Sequence, residues 1–166
     1  VPEALRYKEK DNVLYIRAEG HVTAALCADL RFMVFERFDS EPAVAGMFVD
    51  LSACTYMDST FMGLLVGFHK RLARVKAGKL RIVNPTKSAL ELLSGLGLVP
   101  LVEVVGGPVS FPPDMEDVLK TRSTGADLLL KAHENLMELS EDNAKRFSTL
   151  HSVLKKQSDG DSSGNA

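Results

Sequence analysis

Residues 46 to 70, GMFVDLSACTYMDSTFMGLLVGFHK, leave few folds open, because the period of their apolar positions changes partway along. Gly46, Met47, Phe48 and Val49, followed by Asp50 and Leu51, form a short continuous apolar run closed by turn chemistry. That is the pattern of a strand covered on both faces. A loop follows, and beyond Asp58 the spacing becomes helical, with Phe61, Leu64, Leu65 and Phe68 on one face. An aspartate at that boundary is a strong N-cap, since its carboxylate accepts the free N–H of Thr60 or Phe61. Ser59 therefore falls in the first helical turn, where its hydroxyl lies beside unpaired backbone N–H groups and the positive end of the helix dipole. A phosphoryl group on that oxygen would be tolerated by its own helix and repelled by an apolar or acidic surface docked against it.

The flanking segments supply the rest of an α/β fold. Leu5 to Lys10 and Asn12 to Glu19 alternate as a hairpin turning at Lys10-Asp11-Asn12, with Leu14, Ile16 and Ala18 opposite Val13, Tyr15 and Arg17. Glu19 to Val22 interrupts the alternation, and Thr23 is placed to cap a helix reaching about Phe38. The helix headed by Asp58 extends to about Val75. Leu80 to Val83 reads as a third core strand, Lys87 to Ser94 as a helix and Leu101 to Val105 as the closing strand. This order predicts a mixed sheet with helices packed mainly on one side. Gly63 and Gly67 each cost ~1 kcal/mol of helix propensity against alanine, so each needs a reason. Close packing on the sheet is the expected one, and a flat docking face for a partner is the alternative.

Glycine and proline from Gly106 to Pro113 end this first unit near residue 110. Residues 111–123 read as a linker or short helix, and 124–156 as a helical extension. There Leu129, His133, Leu136, Ser140, Asn143, Phe147, Leu150 and Leu154 fall on a heptad seam. Its polar middle leaves two possibilities, a break near Leu139-Ser140 into a helical hairpin, or a continuous helix with a polar layer in a coiled coil. A helix with one apolar stripe is not stable alone. It must pair with a second copy as a homodimer, dock a partner or pack back on its own domain, and the first two together rank ahead of the third. Residues 157–166 read as a polar, disordered tail.

Composition closes off other classes. A net charge of -2 without a basic module argues against nucleic acid, and the basic residues from Lys70 to Arg81 read as a dipole-complementing helix end. Cys27 and Cys54 are too few for a disulfide framework or a metal site, and suit reduced thiols. No apolar run approaches the ~20 residues of a membrane helix, so no membrane insertion and a cytoplasmic location are expected. There is no G-x-S-x-G elbow, Walker loop or zinc-ligand spacing, so no cofactor and no enzyme is expected. His69 lies almost three turns beyond Ser59, about 15 Å along the axis, and cannot serve it as a base within one helix.

Val49-Asp50-Leu51-Ser52, followed by Tyr56-Met57-Asp58-Ser59-Thr60-Phe61-Met62-Gly63-Leu64-Leu65, resembles the signature of the STAS domain, the fold of bacterial anti-sigma factor antagonists. The resemblance spans roughly the first 110 residues. It implies a phosphorylation-controlled interaction switch acting on transcription, in which an anti-sigma factor serine kinase modifies Ser59, with Thr60 the alternative acceptor, and a cognate phosphatase reverses it. It implies that Asp58, Ser59, Thr60, Met62 and Gly63 face the partner, with His21 contributed by the loop before the first long helix. Phe61 stands where many antagonists have glycine. That departure points toward scaffold subunits of stressosome-type particles or transporter-associated STAS modules as the alternative role.

Overall fold

Asp11 and Asn12 take left-handed backbone angles (φ 53° and 64°), the pair that a tight hairpin turn demands. They join β1 (Ala4–Lys10) to its antiparallel neighbour β2 (Val13–Val22). Beyond β2 the sheet becomes parallel, through β3 (Gly46–Met57), β4 (Arg81–Val83) and β5 (Glu103–Val105). A short β6 (Glu116–Asp117) adds antiparallel to the outer edge of β1, giving the order β5-β4-β3-β2-β1-β6. The computed structural model describes residues 3–164, and side-chain surroundings for 3–160.

The strand alternation decides what lies inside. Leu14 and Ile16 pair in register with Met47 and Val49, and all four are fully buried. They share one core with Leu30 and Val34 of α1 (Cys27–Phe38), Leu65, Phe68 and Leu72 of α2 (Ser59–Arg74), and Leu93 of α3 (Lys87–Gly95). The sheet's other face carries Tyr15 stacked on Phe48 at 5.5 Å and the ion pair of Arg17 with Asp50 at 3.0 Å. Phe111, from the glycine- and proline-rich segment, lies across that aromatic pair. This is the mixed sheet with helices on one side that the sequence order predicts.

Several boundaries differ. The expected loop over 52–57 is strand, and β2 also runs on to Val22, because the two keep pairing in parallel through register shifts near Arg17 and Gly20. Gly20 (φ 71°) supplies the backbone freedom for this. The Thr23 side chain caps nothing, and a 3-10 turn at Ala24–Leu26 leads into α1. Residues 114–120 form no helix. The open edge of β1 captures them, with the Val118 N–H donating to the Leu5 carbonyl at 2.8 Å.

The extension takes the hairpin alternative. Helix α4 (Ala126–Met137) ends, and α5 (Glu141–Gly164) starts after Ser140, whose hydroxyl accepts the Asn143 N–H at 3.0 Å. The predicted tail is helical as far as Gly164, since adding turns to a nucleated helix is inexpensive, while residues 165 and 166 lie outside the described ones. The hairpin packs back on the domain, against the ranking from sequence. His133, Leu136, Asn143, Phe147 and Leu154 are buried within the chain, and Leu150 and Val153 stay exposed. Asn143 is no register layer between copies; its Nδ2 donates to the carbonyls of Leu96 and Leu136, both at 2.9 Å.

Gly63 explains why α4 fits. A β-carbon there would overlap the carbonyl oxygen of Ala132, so the two backbones meet face to face. The glycine serves the chain's own α4, not the sheet. Gly63→Ala should cost about 1–3 kcal/mol of stability in denaturant unfolding, the range for overpacking a tight contact, with the lost protection concentrated in α4.

The segment before α4 is tied to α1 by Asp29. Its carboxylate accepts the N–H groups of Arg122 (2.9 Å) and Thr121 (2.7 Å) and the Thr121 hydroxyl (2.7 Å). Those bonds, Arg122 N–H first and the Thr121 hydroxyl next, hold its pKa below the usual value of 3.8. A depressed carboxyl contributes stability that is full above its unfolded value and lost as pH falls through the folded one. The stability gap between the parent and Asp29→Asn should therefore be full near neutral pH and close below 3.8, as read from unfolding curves across pH.

Candidate functional site at the start of helix α2

Asp58 builds the site. One of its oxygens accepts the Phe61 N–H at 3.0 Å, the N-cap bond expected from sequence, and the other accepts the Ala24 N–H at 2.8 Å. Its own N–H donates to the Val22 carbonyl at 3.0 Å. One residue thus joins the end of β2, the turn leading into α1 and the start of α2. Cys27 sits close by with its thiol pushed up to about 12, by burial first and by the Asp58 carboxylate second. Cys54 is also fully buried, and burial raises its thiol as well. Neither thiol is poised to react.

Ser59 is the first residue of α2 and is half-buried. Its Oγ lies 2.8 Å from Nε2 of His133, which reaches across from α4 and is only 3% exposed. The other ring nitrogen, Nδ1, is 2.7 Å from the Leu129 carbonyl, which can only accept, so Nδ1 carries the proton. In the neutral imidazole Nε2 is then the acceptor, and the Ser59 hydroxyl donates to it. The imidazole and the Phe147 ring meet in a T-shaped arrangement, centroids 5.0 Å apart. On its open side Ser59 borders a groove of about 370 Å³, lined also by Tyr56, Met62, Glu91 of α3, Leu96 that follows α3, and Arg146 of α5.

The other residues expected at a partner face are distributed differently. Thr60 and Met62 are each 3% exposed, and Gly63 lies under Ala132. His21 is exposed at the end of β2, its ring 5.6 Å from that of Tyr56. Phe61 is fully buried, so the departure from glycine fills core volume and changes no surface. The partner of Ser59, His133, was hidden in the sequence: it is 74 residues away and marked only by its seam position. No described helix is long and apolar enough to cross a membrane. Among the described residues no three His, Cys, Asp or Glu side chains come together as a metal site.

The family model for the STAS domain matches residues 4–109. The chain belongs to the STAS domain family. Its fold is shared with the anti-sigma factor antagonist SpoIIAA in its unphosphorylated form, at a TM-score of 0.57 and 21% identity over 63% of this chain and 89% of that one. The Bacillus cell fate determinant SpoIIAA in the phosphorylated form gives 0.53 and 21% over 63% and 92%. A putative anti-sigma factor antagonist from Thermotoga maritima gives 0.54 and 21% over 63% and 87%. No curated protein matches the sequence. The α4–α5 hairpin lies beyond the residues matched to the STAS domain.

Asp58→Ala should lower stability by about 1–2 kcal/mol, at the upper end of N-cap losses because a second N–H is released with the first. Denaturant unfolding checks the loss, and faster amide exchange at Phe61 and Ala24 checks its place.

Proposed function

We propose that this STAS protein is a phosphorylation-controlled interaction switch, an anti-sigma factor antagonist in a partner-switching pathway, with Ser59 as the modified residue. The observation that carries the reading is a partly accessible hydroxyl at the first position of a capped helix, open to a groove on one side. Unmodified, the surface around Ser59, with Asp58 and the exposed His21 and Tyr56 beside it, binds a protein partner. A serine kinase transfers the γ-phosphoryl group of a nucleoside triphosphate to Oγ. The O–H bond breaks, the proton passes to the kinase's base and the nucleoside diphosphate leaves. The dianion added there repels the docked surface, and a phosphatase restores the hydroxyl by hydrolysis, releasing inorganic phosphate. The switch needs no catalytic residue of its own, and its place of action is the cytoplasm.

Thr60 is a poor second acceptor, because it is buried. Support from relatives is the fold shared with SpoIIAA, a protein solved in both unphosphorylated and phosphorylated forms.

Incubation with the serine kinases of the source organism, followed by mass-spectrometric mapping, should place the phosphate on Ser59 and find none on Ser59→Ala. Label confined to other residues contradicts the proposal.

A further inference from the structure

The face of α2 beside Ser59 already has an occupant. Helix α4 rests its Ala132 backbone on Gly63, and Asn135 donates from Nδ2 to the Gly63 carbonyl at 3.2 Å. Lys70 reaches Asn135 at 2.9 Å and pairs with Glu138 one turn further on. Helix α5 closes the arrangement through Asn143, which clamps the end of α3 to α4. At the head of α2, the link between domain and hairpin is the hydrogen bond from Ser59 to His133.

Resting on the switch reading above, we propose that the α4–α5 hairpin is a docking partner carried in cis, held on α2 while Ser59 has a free hydroxyl and released when Ser59 carries a phosphate. The ester oxygen has no proton to give, so the buried acceptor Nε2 is left facing another acceptor. With the imidazole wedged between Ser59 and Phe147, the added group has no space between α2 and α4. On the groove side it meets the apolar Met62 and Leu96, and the carboxylates of Glu91 and Asp58 oppose the attraction of Arg146.

The connection to the hairpin allows it to leave as a unit. Asp29 keeps Thr121 and Arg122 on α1, and the Thr124 hydroxyl donates to the Ala24 carbonyl at 3.0 Å. Release therefore pivots at Gly125, the residue that caps α4, and parts the exposed pair of Arg31 on α1 with Asp127 in the first turn of α4. The freed hairpin presents Leu136 and Phe147, which are buried in the shared core of the unmodified chain. An external partner that binds the same face of unmodified α2 has to displace the hairpin first.

The test is hydrogen exchange on the full chain with phosphoserine installed at position 59 during translation. Amides of α4 should exchange about tenfold or more faster than in the unmodified chain, the loss of one buried hydrogen bond being enough for that factor. Those of β2, β3, β6 and α1 should keep their rates. Ser59→Asp should move the same amides in the same direction, and it decides the matter if the phosphoserine chain unfolds as a whole. Unchanged or slower exchange in α4 overturns the proposal, because it is the result expected if His133 and Arg146 grip the phosphate. The phosphate is installed without a kinase, so the outcomes separate: failure of every kinase to modify Ser59 removes the switch reading alone, and a protected α4 removes hairpin release alone.

Discussion

Two backbone N–H groups from different parts of the chain meet the carboxylate of Asp58, and the geometry of the whole switch region follows from that meeting. Phe61 N–H fixes where α2 begins, while Ala24 N–H fixes how that beginning sits against the turn into α1. With both held, the start of α2 is placed where the Ser59 hydroxyl meets Nε2 of His133. A charge-assisted pair of N–H bonds is well suited to this task, because it is short-ranged and directional and does not depend on long flexible side chains.

The extension depends on the same helix. A hairpin of two helices with one apolar stripe is marginal in water, and each large aliphatic residue moved from water to the interior contributes about 1.5–3 kcal/mol. Leu136 supplies such burial in the shared core, where Gly63 lets the α4 backbone approach α2. Its polar members are satisfied internally: Asn143 by two carbonyls, and His133 by Ser59 and Leu129. The hairpin is therefore matched in shape and in hydrogen bonding to the unmodified head of α2. A change at Ser59 reaches it without any rearrangement of the sheet.

Features legible in the sequence were those governed by neighbouring residues. Asp58 as N-cap, Ser59 in the first turn and the alternating faces of β2 all rest on contacts within a few positions, as does the capping chemistry at Ser140 that made a break one of two possibilities. The errors came where distant pairing decided. Residues 52–57 look like a loop alone and form strand because β2 lies alongside. Residues 111–123 read as a linker or short helix, and part of that segment is taken up by the edge of β1. For Gly63, propensity revealed that a reason was needed but not that the reason was Ala132. The seam of the hairpin was visible, yet whether it faces a second copy or its own domain depends on shape complementarity with α2, which no periodicity encodes. His133 belongs to that class, since its seam position signals burial and says nothing of the hydroxyl it meets.

Central to the account is the proton arrangement between Ser59 and His133, which couples the chemical state of the helix start to the seating of the extension. Long-range nitrogen–proton NMR of the His133 ring in the unmodified chain addresses it directly. A proton on Nδ1, a bare Nε2 and an Nε2 resonance that moves on Ser59→Ala are expected. A proton on Nε2, or an Nε2 resonance indifferent to that substitution, would contradict it.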